Sequence, residues 1–312
     1  MQSYNNVYFS AKRKLRDAGV AAYELEARLI VAYASGKTRE DIILSGESYI
    51  TDAKVRKAID GMIDRRIRGE PVAYIVGEWE FYGIPLTVGS DVLIPRVDTE
   101  IIAGEVIRLL SRHAGKTRLL DLCAGSGCIG LAVAANVPDC RVVLADNSDG
   151  ALAICRANML RNRLSGRTIA VKADALSEPR DMLGKFDIIA CNPPYIPTAD
   201  IQKLEASVRC YEPVCSLDGG ADGLYFFRAI TRNWAAALKS GGQLAFECGT
   251  GQAKALRAIM KEGNFTDIRT YLDTLGIERV VIGSWLPEAA TDETDLIDVI
   301  DVTDVTDKTD IL

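Results

Sequence analysis

Apolar residues recur at helical spacing in the first part of the chain. One run spans residues 23–33 and would place three residues on the same helix face: Leu25, Leu29 and Ala32. A second run spans residues 53–68 and must end before Pro71, because a residue that precedes proline is pushed out of the helical region. The pattern predicts a helical bundle over residues 1–74.

The pattern changes after residue 75. Bulky apolar residues flank the turn-forming segment Gly83-Ile84-Pro85 on both sides: Trp79, Phe81 and Tyr82 before it, Leu86 and Val88 after it. This arrangement predicts a β-hairpin linker over residues 75–97. Asp98 is then placed to cap a helix, with Glu100 in its positive first turn.

From Thr117 onward, short apolar runs alternate with segments of helical spacing. The strand-like runs are residues 118–123, 141–145, 168–172, 186–191, 243–248, 268–272 and 279–283. Alternation of this kind is typical of a parallel sheet that helices cover on both faces. We therefore predict an α/β domain over residues 98–286.

The end of the chain is a Thr-Asp repeat with a strong negative charge. Residues 287–312 hold nine acids and one lysine, a contribution of −8 to a net charge of −6, which leaves +2 for the rest. Asp, Thr and Val are poor helix formers, so we expect a solvated, disordered acidic tail. The rest of the chain is nearly neutral and lacks the excess positive charge of a dedicated nucleic-acid binder. We therefore expect no direct nucleic-acid binding.

Cysteine and histidine usage argues against a metal centre. The eight cysteines include no Cys-x-x-Cys pair, and His113 is the single histidine, so reduced thiols and no metal site are expected. No segment has the form of a signal peptide, and no apolar run approaches the roughly 18 residues that a membrane span needs. A cytoplasmic protein without membrane contact is predicted.

A predicted strand opens into a glycine-rich turn at Asp121. Glycines are needed where the backbone turns sharply and lets a cofactor approach without a Cβ in the way. The next strand ends about 20 residues later at Asp146, whose carboxylate would bind the hydroxyls of a ribose. Gly125-x-Gly127-x-x-Gly130 also fits the dinucleotide fingerprint, so these residues alone leave a nicotinamide-dependent dehydrogenase open.

The predicted fourth strand runs directly into Asn192-Pro193-Pro194-Tyr195. Such a position, at the carboxyl end of a strand in an open α/β sheet, is where these folds bind ligands. The Asn192 side-chain oxygen and the Pro193 carbonyl would each accept one N–H of a planar amide or amine. Two fixed acceptors orient the nitrogen and stabilise the positive charge that grows during methyl transfer. The tetrapeptide therefore predicts a nitrogen methyltransferase in which all four residues bind substrate and the catalytic residues are Asn192, Pro193 and Tyr195.

The sequence resembles the HemK/PrmC family of protein-glutamine methyltransferases over about residues 5–285. The likeness is carried by residues 69–75 (Gly-Glu-Pro-Val-Ala-Tyr-Ile), residues 93–100 (Leu-Ile-Pro-Arg-Val-Asp-Thr-Glu), the glycine turn and the Asn192 tetrapeptide. The family methylates the glutamine of the Gly-Gly-Gln loop in peptide-chain release factors. The resemblance implies a Rossmann-like S-adenosylmethionine-dependent methyltransferase fold, with a mostly parallel seven-stranded sheet, a substrate-recognising N-terminal bundle and release factors as partners.

The resemblance also implies which residues bind S-adenosylmethionine, the expected methyl donor. They are Asp121, Ala124, Gly125, Ser126, Gly127, Cys128, Asp146, Asp174, Ala175 and Asn192. Asp174 would meet the adenine amine, whereas Ala175 stands where the family often has an aromatic residue. Cys123 and Ala124 replace the usual Gly-Thr pair.

Other functions stay open at this point. An amino-methyltransferase that acts on adenine or guanine in DNA or RNA can use the same tetrapeptide, although the nearly neutral body and the helical module count against it. A glutamine in a ribosomal protein is another possible substrate. A catalytically silent S-adenosylmethionine-binding module is disfavoured by the intact tetrapeptide.

Overall fold

The N-terminal part of the chain is a helical bundle in the computed structural model, which describes residues 2–44 and 46–287. Its helices are α1 (Tyr4–Asp17), α2 (Tyr23–Ala34), α3 (Arg39–Leu44), α4 (Ala53–Ile67) and α5 (Val72–Val76). Strands β1 (Gln2–Ser3) and β2 (Tyr49–Ile50) form a short antiparallel pair beside them. The predicted acidic tail, apart from Pro287, lies outside the described residues.

Helix α2 buries only part of the face that the pattern predicted. Leu25 is 49% exposed, whereas Ala27 and Ile30 are fully buried. Glu26 also lies on the buried face, where it forms an ion pair with Arg66 of α4. Of the three residues predicted to share one helix face, Ala32 is buried and Leu29 partly buried, whereas Leu25 lies outside the core.

A β-hairpin follows the bundle, with strands β3 (Glu78–Phe81) and β4 (Ile84–Thr87). The fully buried amide of Asn158 attaches it to the glycine turn. Its Oδ1 accepts from the Thr87 amide at 2.6 Å, and its Nδ2 donates to the carbonyls of Thr87 (3.0 Å) and Ser126 (2.9 Å). The division of the chain at residues 74, 97 and 286 stays a prediction.

The largest part of the chain forms a seven-stranded sheet. Its strands are β5 (Thr117–Leu122), β6 (Cys140–Asp146), β7 (Thr168–Lys172), β8 (Phe186–Cys191), β9 (Leu238–Glu247), β10 (Phe265–Leu272) and β11 (Glu278–Trp285). Their order across the sheet is β10-β11-β9-β8-β5-β6-β7. Strand β11 runs antiparallel to both of its neighbours, whereas β7, β6, β5, β8 and β9 pair in parallel. The predicted fold class is confirmed.

Helices cover both faces of this sheet: α6 (Thr99–Leu110), α7 (Cys128–Asn136), α8 (Asp149–Arg161), α10 (Tyr225–Trp234) and α11 (Ala253–Glu262). A short helix, α9 (Ala206–Arg209), precedes α10 in the chain and buries none of its residues. Successive residues of β5 point to opposite faces, so Leu119 packs in the core beside α6 and α7, and Leu120 packs in the core beside α10 and α11. Across the described ranges, no helix combines the length and apolar character that crossing a bilayer requires.

Helix α6 begins without the predicted side-chain cap. Asp98 stands at the N-cap position, but its side chain makes no capping hydrogen bond. The carbonyls of Arg96 and Val97 instead accept from the first amides of the helix, those of Thr99 and Glu100. The carboxylate of Asp98 is therefore left to pair with an arginine on β11, Arg279, at 3.1 Å.

The chain order reverses at β5, which lies between β6 and β8. Such a switch point opens a crevice at the carboxyl ends of the strands, where open α/β sheets bind ligands. Five parallel strands end on this edge, at Leu122, Asp146, Lys172, Cys191 and Glu247. The residues that follow them are therefore brought together there.

Candidate active site

The turn after β5 has a backbone that favours glycine. Gly125 and Gly127 have φ angles of +56° and +78°. Cys123 also has a positive φ, +60°, at a position where the resemblance expects glycine. This conformation costs a residue with a Cβ about 1–2 kcal/mol. At Gly127 the left-handed backbone disfavours other residues, and a Cβ there would also come within 3.1 Å of the Leu144 side chain.

Asp121 supports this turn from behind. Its carboxylate is 1% exposed, and Oδ2 accepts from the Gly130 amide at 2.8 Å. Its Oδ1 has no hydrogen-bond partner among the residues that the structure describes. Burial raises the pKa of Asp121 to about 8, against the opposing effect of the Gly130 hydrogen bond. Asp121 is thus placed to hold the turn and helix α7 together.

Asp146, at the end of β6, is held in one orientation by the backbone. Its Oδ2 accepts from the Gly125 amide at 2.8 Å, and its Oδ1 accepts from the Ser148 amide at 2.9 Å. Each carboxylate oxygen can accept a second hydrogen bond. The half-buried carboxylate is therefore ready to accept from a pair of neighbouring hydroxyls in the cavity.

The segment that follows β7 also lines the site. Asp174 Oδ1 accepts from the Leu176 amide at 2.9 Å, and the carbonyl of the buried Ala175 accepts from Trp234 Nε1 at 3.0 Å. Phe226 of α10 lines the same cavity, so an aromatic ring is present although Ala175 supplies none. The sequence pattern did not predict Phe226, because it lies far along the chain in a helix with no motif.

The Asn192-Pro193-Pro194-Tyr195 turn follows β8 and is held tightly by its neighbours. Gln252 Nε2 donates to the Tyr195 carbonyl at 2.9 Å. A Cβ built on Gly219 would lie 2.6 Å from the Tyr195 Cα, and one on Gly223 would lie 2.3 Å from the Tyr195 carbonyl oxygen. The turn is thus packed against backbone that leaves it little freedom to move.

Two polar contacts connect this turn to a buried glutamate. Asn192 Nδ2 donates to Thr99 Oγ1 at 3.4 Å, and the Tyr195 hydroxyl donates to Glu247 Oε1 at 3.4 Å. Glu247 is 2% exposed, and burial raises its pKa to about 7, although hydrogen bonds from Thr99 and Tyr195 lower it. Burial also raises the pKa of Tyr195, so its hydroxyl keeps the proton at neutral pH.

These elements surround a cavity of about 390 Å³. Predicted site residues that line it are Ala124, Gly125, Ser126, Cys128, Asp146, Asp174, Ala175, Asn192 and Pro194. The other predicted site residues, which lie next to this lining in the chain or support it, are Asp121, Gly127, Pro193 and Tyr195. Within residues 2–44 and 46–287, no group of three or more His, Cys, Asp or Glu side chains could hold a metal ion.

Thr99 and Glu247 were not among the predicted site residues, although each carried a signal. Thr99 lies inside residues 93–100, which carry the family resemblance, and it lines the cavity. Glu247 is an acid that ends a buried strand, the position that Asp146 has on β6. The contact between them could not be predicted, because it depends on how α6 packs beside β9.

Two protein-family models match the chain. The PrmC N-terminal domain matches residues 8–77, and the methyltransferase small domain matches residues 88–207. Among solved structures, the hMettl16 catalytic domain in complex with the MAT2A 3′UTR hairpin 6 has a similar fold, with a TM-score of 0.53. It is 16% identical, and the match covers 68% of this chain and 78% of that one. This likeness concerns the fold alone.

Curated relatives match both parts of the chain. A release factor glutamine methyltransferase from Geobacter sulfurreducens is 38% identical over 271 residues, which are 86% of this chain and 92% of that protein. The release factor glutamine methyltransferase from Caulobacter vibrioides is 37% identical over 276 residues, 88% of this chain and 93% of that protein. At this identity and coverage, the chain belongs to the release factor glutamine methyltransferase family.

Proposed function

We propose that the protein transfers a methyl group from S-adenosylmethionine to the side-chain amide nitrogen of the glutamine in the Gly-Gly-Gln loop of peptide-chain release factors. The observation that carries the proposal is that the Asn192 turn lines the same cavity as the glycine turn and Asp146. A methyl donor and a planar amide would then meet within one site. The relatives named release factor glutamine methyltransferase match the bundle as well as the sheet.

S-adenosylmethionine fits the residues of this cavity. The volume lies within the range of small-molecule sites, and the glycine turn lets a ligand approach the backbone. When bound, this cofactor supplies a methyl group on a positively charged sulfur. Asp146 would accept from the ribose hydroxyls, Asp174 would accept from the adenine amine, and Phe226 would pack beside the base. Asp121 would act indirectly, through the turn that it supports.

The tetrapeptide would bind and orient the target amide. Asn192 Oδ1 and the Pro193 carbonyl would each accept one N–H, which fixes the plane of the amide and aims its nitrogen lone pair along the remaining direction. Both acceptors also stabilise the positive charge that develops on the nitrogen. Tyr195, which Glu247 and Gln252 hold in place, would provide a face against which the planar group packs.

Selection of one protein requires more surface than a four-residue turn provides. The N-terminal bundle, residues 1–74, is proposed as the second contact surface for the release factor. Large apolar side chains are exposed on it, among them Phe9 (58%), Ile43 (59%) and Tyr49 (61%). Exposed apolar residues of this size are typical of protein-binding surfaces when they lie together.

The proposal is tested by incubating the protein with labelled S-adenosylmethionine and, separately, a release factor, ribosomal protein and nucleic acid. We expect label on the release factor. Label on nucleic acid or on ribosomal protein, with none on the release factor, would replace the proposed substrate with that one.

A further inference from the structure

The polar groups behind Asn192 form a series of hydrogen-bonding side chains that ends at a buried carboxylate. Asn192 Nδ2 lies 3.4 Å from Thr99 Oγ1, and Thr99 in turn lies close enough to Glu247 for its hydroxyl to lower the pKa of that carboxyl. On the other side, the Tyr195 hydroxyl donates to Glu247 Oε1. Thr99 and Glu247 are each only 2% exposed, so bulk water does not replace these contacts.

The donors and acceptors along this series fix its direction. An ionised carboxylate can only accept, so the Thr99 hydroxyl is the donor in any hydrogen bond between Thr99 and ionised Glu247. The Thr99 oxygen is then left as an acceptor, and the NH₂ end of the Asn192 amide is the end that satisfies it. Asn192 Oδ1 is consequently directed away from Thr99, toward the cavity, where an acceptor for the target N–H is needed.

We propose that Glu247 is a positioning residue that sets the orientation of the Asn192 amide through Thr99 and holds Tyr195 through its hydroxyl. The inference rests on the proposed function, because it concerns how the same site binds its amide. Glu247 acts through its neighbours and has no contact with the reacting nitrogen in this account. Glu247 Oε2 has no hydrogen-bond partner among the described residues. Hydrogen bonding to both carboxylate oxygens is therefore not the reason that a glutamate is buried here.

Protonation of Glu247 would reverse the direction of the hydrogen bonds from Glu247 through Thr99 to Asn192. A neutral carboxyl can donate to Thr99, which frees the Thr99 hydroxyl to donate to Asn192. The Asn192 amide would then turn its NH₂ end toward the cavity, where it faces the N–H groups of the target and cannot accept from them. Because burial raises the pKa of Glu247 to about 7, this change falls close to neutral pH.

Several groups on neighbouring elements influence the charge on Glu247. Asp98 raises its pKa and Arg279 lowers it, but Arg279 also pairs with Asp98 at 3.1 Å and with Asp273 at 3.0 Å. The positive charge of Arg279 is thus shared among three carboxylates and offsets the burial of Glu247 only in part. The other titratable groups that face it are Tyr195, Cys128 and Cys248.

The kinetic test compares the wild type with Glu247→Gln, Thr99→Val and Thr99→Ser between pH 6 and pH 9, at saturating S-adenosylmethionine and release factor. We expect the wild-type kcat to fall below about pH 7 as Glu247 is protonated. Glu247→Gln and Thr99→Val should each lower kcat at pH 8 about tenfold, the effect of one misplaced hydrogen bond, and change the cofactor KM far less.

Two comparisons separate positioning from a general loss of structure. Glu247→Gln should remove the decline of kcat at low pH, and Thr99→Ser should restore most of the kcat that Thr99→Val loses. The double variant Glu247→Gln/Thr99→Val should be no slower than either single variant, because both substitutions interrupt the same series of hydrogen bonds. A Glu247→Gln enzyme with wild-type kcat and an unchanged decline at low pH would overturn the proposal.

A spectroscopic test needs no methylation at all. In protein labelled with ¹⁵N-asparagine, the side-chain amide signal of Asn192 is assigned from its loss in Asn192→Asp. In the wild type this signal should shift with pH, with a midpoint at about pH 7. The shift should be absent in Glu247→Gln. A signal that responds neither to pH nor to this substitution would refute the inference. A responsive signal in an enzyme that leaves release factor unmodified would refute the proposed substrate and leave the positioning role standing.

Discussion

Gly219 lies so close to the backbone of Tyr195 that a Cβ on Gly219 would stand 2.6 Å from the Tyr195 Cα. Real Cβ atoms essentially never come within 3.0 Å of another heavy atom, and here the neighbour is backbone, which cannot rotate away. The Gly219 carbonyl also accepts from the Tyr225 amide at 3.2 Å, and its amide donates to the Ile196 carbonyl at 2.8 Å. The segment around Gly219 therefore shapes the turn that holds Asn192.

Substitution of Gly219 by alanine should disturb this turn. The added methyl group must displace Tyr195 or the segment itself, and overpacking of this kind costs about 1–3 kcal/mol of stability. The displaced turn should also lower kcat, which urea unfolding and methylation kinetics would measure. Gly166→Ala is the matched control, because a Cβ there meets no atom within 4 Å and φ is not positive. Equal effects of the two substitutions would show that the contact with Tyr195 does not shape the site.

The buried carboxyl of Asp121 should make stability depend on pH. Its pKa in the folded protein, about 8, lies above the ordinary value of 3.8, so the folded state holds a proton that the unfolded state has lost. Stability from this group is therefore complete below about pH 4 and declines as the pH rises to about 8, by on the order of a few kcal/mol. Thermal or urea unfolding as a function of pH measures the slope.

Asp121→Asn should flatten that decline, since an amide keeps an acceptor for the Gly130 amide but does not ionise. Glu247 contributes a smaller decline of the same sign, because burial raises its pKa to about 7. Asp139→Asn, on an exposed surface, is the control and should leave the slope unchanged. A slope that persists in full in Asp121→Asn would mean that Asp121 is ionised in the folded protein.

Asp146→Ala should weaken S-adenosylmethionine binding. Loss of an acceptor for the ribose hydroxyls costs about 1.5–3 kcal/mol, which corresponds to roughly 10- to 100-fold in Kd by calorimetry. Asp149→Ala removes a nearby carboxylate whose side chain is 80% exposed and pairs with Lys172, so it should bind as the wild type does. Tight nicotinamide dinucleotide binding by the wild type would contradict the cofactor assignment.

Phe226 should contribute to cofactor affinity although no motif marks it. Phe226 lines the same cavity as Asp174 and Ala175, so Phe226→Ala should weaken S-adenosylmethionine binding by about 1 kcal/mol or more through lost packing. Phe226→Leu keeps an apolar side chain and should lose less. If calorimetry gives the same Kd for the wild type and Phe226→Ala, the base does not pack against this ring.

The sheet and its ligand edge could be predicted because their signals are local. A strand buried on both faces is a continuous apolar run, and Asp121, Asp146 and Asn192 each lie at or next to the end of such a run. Contacts between distant segments left no such signal. Thr99 and Glu247 meet only because α6 lies beside β9, and Gly219 reaches Tyr195 across a loop.

Local rules failed where another interaction was stronger. Asp98 has the side chain of a helix cap, but the preceding carbonyls satisfy the helix and Asp98 pairs with Arg279 instead. Cys123 adopts a positive φ that its residue type disfavours, because the turn requires it there. On α2, Leu25 is exposed, whereas its neighbour Glu26 is buried in an ion pair with Arg66.

The central claim is that Asn192 binds the amide of a release-factor glutamine. It is tested most directly by mass spectrometry of the Gly-Gly-Gln peptide after reaction of the release factor with the wild type and with Asn192→Ala. We predict one added methyl group on that glutamine, formed about 10²- to 10³-fold more slowly by Asn192→Ala, the usual effect of removing one preorganised polar contact. A glutamine left unmodified by the wild type, or modified equally fast by Asn192→Ala, would contradict the account.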